Sequence, residues 1–205
     1  MSEKSPYFDK RQEFFRSFFT QGLGYQDYVL SGQPHEQQQW NAMEARIQLS
    51  ASQIERLKQF KRRMPVLVMA GTWCGDCVRQ GAMFRLIERH VGQHAELGEA
   101  LMTFRYLDNR ANPTLQDELR INGAQKVPVV VSLSEDFYEV GRFGDRHLSV
   151  YKRKSATELG AACDLGLLAP PEDELKVELD EWISYFERLQ LLLRLAPALR
   201  KRYSD

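Results

Sequence analysis

The 205-residue chain has little cysteine, no excess of charge of either sign and no long hydrophobic run. Its 3 cysteines, Cys74, Cys77 and Cys163, are too few and too unevenly spaced for the disulfide framework that staples small secreted domains. Lys and Arg, 28 together, balance 28 Asp and Glu. That excludes a protein whose affinity rests on a general electrostatic field, so neither nucleic acid nor membrane is expected as a partner. No apolar stretch approaches the roughly 20 residues that span a bilayer. The opening MSEKSPYFDKRQEFF scatters charges where a signal peptide needs an unbroken apolar stretch. The expected compartment is therefore the reducing cytoplasm, where a Cys-x-x-Cys pair points to redox or metal chemistry. Internal repeats and low-complexity segments are also lacking. What is present, 43% hydrophobic and 27% charged residues, suits a globular chain long enough to bury a core.

Residues 1–62 read as mostly helical. Phe14, Phe15, Phe18 and Phe19 make one aromatic face, expected to pack on the rest of the chain. The glycine-bearing stretch 22–32 reads as a turn, followed by a helix over 34–45 anchored by Trp40 and Met43. Ser52-x-x-Glu55 has capping-box spacing and predicts a helix with Ile54, Leu57 and Phe60 inward. The texture then changes. After Pro65, the run Val66–Ala70 fits a strand buried on both faces, and from Cys74 onward Val78, Met83, Leu86, Ile87 and Val91 have helical spacing. A second strand is predicted over 101–107, a helix from Asn112-Pro113 to Asn122-Gly123, a third strand over 127–131 and a hairpin-paired fourth over 137–143. Strand, helix, strand, helix, strand, strand predicts a three-layer α/β/α sandwich with a mixed central sheet.

The tail reads separately. A helix through Leu159–Cys163 is expected, with Cys163 as a small buried hydrophobe, and Tyr151-Lys152-Arg153-Lys154 reads as a solvated face. Beyond Pro170-Pro171, Leu175, Leu179, Trp182, Ile183, Phe186, Leu189 and Leu193 form one stripe of an amphipathic helix that Pro197 ends or kinks. The stripe is expected to pack on the core; a homodimer seam is the alternative. The expected organisation is a helical extension over 1–49, a central domain over 50–146 and a second helical extension over 147–205.

The chemistry sits at Thr72-Trp73-Cys74-Gly75-Asp76-Cys77. Two cysteines three positions apart, where a buried strand runs into a helix, are placed for thiol–disulfide exchange. Unpaired backbone N–H groups and the positive dipole end favour a thiolate at Cys74. Cys77, almost one turn along, is the more buried resolving thiol. A rival pattern exists, because Cys74, Cys77, His90 and His94 satisfy the spacing of a two-Cys, two-His zinc site. On a continuous helix, however, His90 lies about 24 Å from Cys74 at 1.5 Å per residue. No metal is expected.

In this context the sequence resembles the thioredoxin superfamily over residues 50–146. The Val/Leu-rich strand ends in Trp73-Cys74-Gly75-x-Cys77, Val127-Pro128 stands where thioredoxins carry a cis-proline beside the active site, and Gly144 follows the last hairpin strand. More closely, Trp73-Cys74-Gly75-Asp76-Cys77, Leu107-Asp108-Asn109 and the run from Gly141 to Arg146 resemble a bacterial branch that reads W-C-G-D-C. The resemblance implies that Pro128 is cis and that Val127 offers its backbone to an extended substrate segment. It also implies that Arg142, Gly144 and Arg146 lie at the hairpin end facing the site, where the arginines would attract an acidic substrate or steady the thiolate. Two departures stand out. Asp76 replaces the usual proline, and its charge predicts a less acidic Cys74 and a more reducing couple than the proline version. Val68 stands where thioredoxins bury an aspartate that helps move the second thiol's proton, so Cys77 must use water, Asp76 or another group. The resemblance implies a thiol–disulfide oxidoreductase acting on protein or small-molecule disulfides. It needs no metal or organic cofactor but does need an electron-donating reductase as partner. A peptide-binding or chaperone-like module with little redox turnover is the alternative.

Overall fold

The structure is a computed structural model that describes residues 7–94, 98–158 and 173–203. Its central strand is β1 (Met64–Ala70), whose seven residues are all buried. A run of uniformly apolar side chains has nowhere else to go than the middle of a sheet covered on both faces. β2 (Met102–Asp108) lies parallel to β1, with Val68 opposite Tyr106. β3 (Val129–Leu133) lies antiparallel on the other side, with Val68 opposite Val130, and β4 (Glu139–Gly144) returns antiparallel to it. The order is β2-β1-β3-β4, a mixed sheet.

Alternation along β1 divides the core into two layers. Leu67 and Met69 face a layer built by α1 (Gln12–Gln21), through Phe15 and Phe19, and by α6 (Pro113–Glu118), through Leu115 and the adjoining Leu119. Val66, Val68 and Ala70 face the larger layer. There α5 (Gly75–His90) is flanked by α2 (Tyr25–Leu30), α3 (Pro34–Glu44), α4 (Ala51–Lys58) and α8 (Glu174–Leu195). Helices thus cover both faces of the sheet, giving the expected α/β/α sandwich. The apolar stripe of α8 is turned inward: Trp182 meets the Phe84 ring edge-on at 4.7 Å, and Phe186 meets Phe104 at 5.7 Å. Arg56 of α4 clamps the outer side of α8 through Asp180 at 2.7 Å and Glu187 at 2.6 Å. Ala196 is extended, and α9 (Pro197–Tyr203) follows it, so Pro197 does end the long helix.

Several local expectations change. The stretch 22–32 is not one turn but holds α2. Before it, Leu23 exchanges backbone hydrogen bonds of 2.9 and 2.8 Å with Tyr106 and so closes the outer edge of β2. Gly22 permits this approach, since a Cβ there would lie 2.7 Å from Arg105 Cβ. Helix α4 is capped by Ser50 with Gln53, not by Ser52 with Glu55. The two-residue shift buries Gln53 and Leu57 and sends Glu55 to solvent, leaving Ile54 half-buried. β3 starts at Val129 because Pro128 has no N–H for the ladder. β4 starts at Glu139 because Phe137, at φ 63°, lies in the turn. In the tail, α7 (Leu148–Glu158) precedes the segment predicted as a helix over 159–163, which lies outside the described residues together with Cys163.

Gly81, inside α5, illustrates how tightly the larger layer is packed. A Cβ there would sit 2.2 Å from the Trp40 ring, and that indole is fixed by its N–H donating to the Thr72 carbonyl at 2.9 Å. Helix propensity alone makes Gly→Ala favourable by about 1 kcal/mol. Overpacking of this kind costs about 1–3 kcal/mol, and with Trp40 bonded in place the clash is expected to dominate. Gly81→Ala should therefore unfold at lower urea than the native protein; a midpoint moved upward would contradict this packing.

Candidate thiol site at the start of helix α5

Cys74 is the N-cap of α5, with extended backbone at φ −88°, ψ 118°, and its sulfur accepts the Cys77 amide at 3.4 Å. Gly75 opens the helix and is exposed, while Asp76 stands in its first turn. The two cysteines are free thiols of unequal access: Cys74 is half-buried, Cys77 only 1% exposed. The thiol of Cys77 donating to Cys74 holds the Cys74 pKa down to about 7, helped by the Cys77 and Asp76 amides and opposed by burial and by the Asp76 charge. Burial pushes Cys77 the other way, well above the ordinary thiol range. One sulfur is prepared as a nucleophile and the other is kept protonated.

Val127 and Pro128 lie across from Cys74. Their peptide bond is cis, and the Cys74 thiol reaches the Val127 carbonyl at 3.8 Å. Gly144 backs this loop, because a Cβ there would fall 2.9 Å from the Pro128 oxygen. Trp73 folds over Gly71, whose added Cβ would lie 2.6 Å from the indole nitrogen, yet the ring stays 44% exposed with the Arg110 guanidinium 4.8 Å from its centre. Beside the thiol opens a cleft of about 570 Å³, walled by Asp76, Arg79, Arg146, Arg153 and Lys154.

Asp76 is the hub of an ion-pair chain. Arg146 grips one carboxylate oxygen at 2.7 and 2.6 Å, and Arg79 binds the other at 2.9 Å. Arg79 continues to the buried Glu178 of α8 at 2.6 Å, and Arg146 to Asp145 at 2.9 Å. Burial raises Glu178 to about 7, against the opposing pull of Arg79. The Asp76 charge does oppose the Cys74 thiolate, as the sequence predicts, but two guanidinium groups neutralise much of it.

The structure thus brings Cys74, Gly75, Asp76, Cys77, Trp73, Val127, Pro128, Gly144 and Arg146 together. Arg142 goes elsewhere. It is paired in register with Val131, on the face of the sheet away from α5, and bonds Glu139 at 3.1 Å and the Glu118 carbonyl at 3.0 Å. Arg153 and Lys154, expected on a solvated face, instead wall the cleft, paired with Glu174 and Glu158. His90 ends α5 opposite Cys74, its ring nitrogen 2.8 Å from the Leu86 carbonyl, and no metal-holding group of three or more such side chains occurs among the described residues. Sequence reasoning missed Arg79 and Glu178. The i,i+3 spacing from Asp76 to Arg79 and a glutamate set beside Leu179 in an apolar stripe were the available signals. It also missed Glu36, which accepts the Thr72 hydroxyl at 2.8 Å from a helix remote in sequence.

A four-stranded mixed sheet with a Cys-x-x-Cys pair capping its central helix and a cis-proline opposite defines a thioredoxin-like protein. The chain belongs to the thioredoxin family: the family model described as Thioredoxin matches residues 22–154. A crystal structure of a protein of unknown function from Pseudomonas aeruginosa is similar at a TM-score of 0.63 and 22% identity, over 84% of this chain and 96% of that one. A crystal structure of an HIV epitope-scaffold is similar at 0.62 and 22%, over 84% and 97%. At that identity the likeness shows the fold. No curated protein matches the sequence.

Removing the Asp76 charge leaves Arg79 and Arg146 facing the cleft with one acidic partner fewer each. Asp76→Asn should therefore lower the Cys74 pKa below about 7, by on the order of one unit. The pH dependence of iodoacetamide alkylation measures it, and an unchanged or raised midpoint would contradict the role given to Asp76.

Proposed function

We propose that the protein is a thiol–disulfide oxidoreductase of the W-C-G-D-C kind, reducing protein or small-molecule disulfides in a reducing compartment such as the cytoplasm. The observation that carries this reading is the unequal placement of two free thiols on one helix turn: Cys74 half-buried at the N-cap, accepting the Cys77 amide at 3.4 Å, and Cys77 1% exposed behind it. Their geometry supports a two-step exchange. The Cys74 thiolate attacks one sulfur of a substrate disulfide, forming a mixed disulfide and expelling the first substrate thiolate, which takes a proton from solvent. The substrate chain lies along Val127 and Pro128, whose carbonyl and cis turn face the attacking sulfur. Cys77 then attacks the Cys74 sulfur, the second substrate thiolate leaves with the Cys77 proton, and a Cys74–Cys77 disulfide remains. Two electrons have passed to the substrate, and a reductase must return two to the protein. These steps draw on no metal or organic cofactor.

The protein should accelerate the reduction of a protein disulfide by dithiothreitol over the rate of dithiothreitol alone, and that acceleration should be lost in Cys74→Ser. Cys77→Ser should instead hold substrate as a stable mixed disulfide detectable by intact mass. Equal rates in wild type and Cys74→Ser would favour a peptide-binding module with idle cysteines. The first step should also follow the Cys74 thiolate: its rate should climb with pH and level off above about 7. A rise continuing to the ordinary thiol range, about 8.5, would speak against an activated Cys74.

A further inference from the structure

In the second step Cys77 must lose its proton inside the apolar core, where its charged form is disfavoured. Val68 cannot assist: it is 1% exposed on β1, between Tyr106 and Val130, on the face that Cys77 packs against. A polar group from another element is buried in the same layer of the core. Tyr28 of α2 belongs to the same core cluster as Cys77 and Val68 and is itself 1% exposed. Its hydroxyl is buried with no hydrogen-bond partner among the described residues. A phenylalanine would fill the same volume without leaving that hydroxyl unpaired, and an unpaired buried hydroxyl costs free energy.

The ring is held firmly. It stacks on Tyr106 at 5.2 Å and 21° and meets Trp40 edge-on at 5.7 Å, and Trp40 is itself bonded to the Thr72 carbonyl, two residues before Cys74. Among charged and titratable groups, Cys77 acts most strongly on the hydroxyl, followed by Asp108 at the end of β2, Cys74 and Glu36 of α3. Burial raises the Tyr28 pKa, so the hydroxyl stays protonated at neutral pH and can only donate to a thiolate. Asp76, on α5, adds to the cost of charging Cys77.

We propose that Tyr28 is a positioning residue for the second half of the exchange: its hydroxyl donates a hydrogen bond to the Cys77 sulfur as that sulfur gives up its proton. It fills the need left by Val68 from a different element. The step balances without a co-reactant. Cys77–SH and the Cys74–S–S–R mixed disulfide become the Cys74–Cys77 disulfide and R–SH; the proton passes from Cys77 to the leaving sulfur, and Tyr28 keeps its own. The inference rests on the oxidoreductase reading above.

The test uses the full chain carrying thionitrobenzoate on Cys74, whose coloured thiolate is released when Cys77 attacks. Tyr28→Phe should slow that release about tenfold at pH 7, the equivalent of a one-unit rise in the Cys77 pKa. The deficit should close at alkaline pH, while alkylation of Cys74 stays within about twofold of wild type. Tyr106→Phe, which removes a neighbouring hydroxyl bonded to the Gly81 carbonyl at 3.4 Å, should leave the release profile in place. Release at the wild-type rate from Tyr28→Phe overturns the proposal. So does parallel slowing of both steps, or an equal shift in Tyr106→Phe, since each marks a packing defect. If wild type releases nothing, the oxidoreductase reading fails, and this inference with it.

Discussion

The Cys74 sulfur caps α5 by accepting the Cys77 amide at 3.4 Å, and the rest of the site depends on that contact. A helix start carries unpaired N–H groups and about half a positive charge, which ordinary caps use only for stability. Here the cap atom is also the reactive atom. Keeping the helix end aimed at Val127 therefore sets both the acidity of Cys74 and the direction from which a partner sulfur arrives. The same turn places Cys77 behind it, its sulfur bonded by the Gly71 amide at 3.5 Å and its side chain in the core. One turn of helix thus produces two thiols whose acidities are shifted in opposite directions.

Around that turn the protein places paired charge. Asp145, Arg146, Asp76, Arg79 and Glu178, paired in that order, alternate in sign from the cleft to the buried face of α8. A carboxylate so near a thiolate would by itself raise its pKa; paired on both oxygens it acts as a tether for two guanidinium groups. The chain of pairs links the cysteine turn to an element more than a hundred residues further along, since Glu178 follows Cys74 by 104 positions.

Much of this could be read from the sequence where a single signal dominated. β1 is an unbroken apolar run, and α5 follows from two cysteines ahead of regular helical spacing. The α8 stripe and the cis-proline loop were equally plain, the latter through its resemblance. The reading failed where signals were short or tied. The six residues of α2 are too few for a period and sit between glycines, so they looked like a turn. Ser50 and Ser52 both offer a capping pattern, and only the burial of Gln53 and Leu57 against α8 and the core decides between them. Arg142 and Arg146 looked alike in sequence, but strand alternation and the end of β4 send them to opposite places. The Asp76–Arg146 pair spans 70 positions, a separation no local pattern reveals. The family match also begins at residue 22, well before the 50–146 window that the motifs alone defined.

Helix α8 lies beyond that match, yet Trp182 and Phe186 fit against Phe84 and Phe104, rings that come from the helix bearing the cysteines and from the strand beside β1. A fragment trimmed to the recognisable family boundaries would lay a broad aromatic floor open to water and strip Arg79 of its interior anchor. Grafting the redox motif into another scaffold would meet the same obstacle, for the hinge of its chemistry is stitched from both ends of the polypeptide.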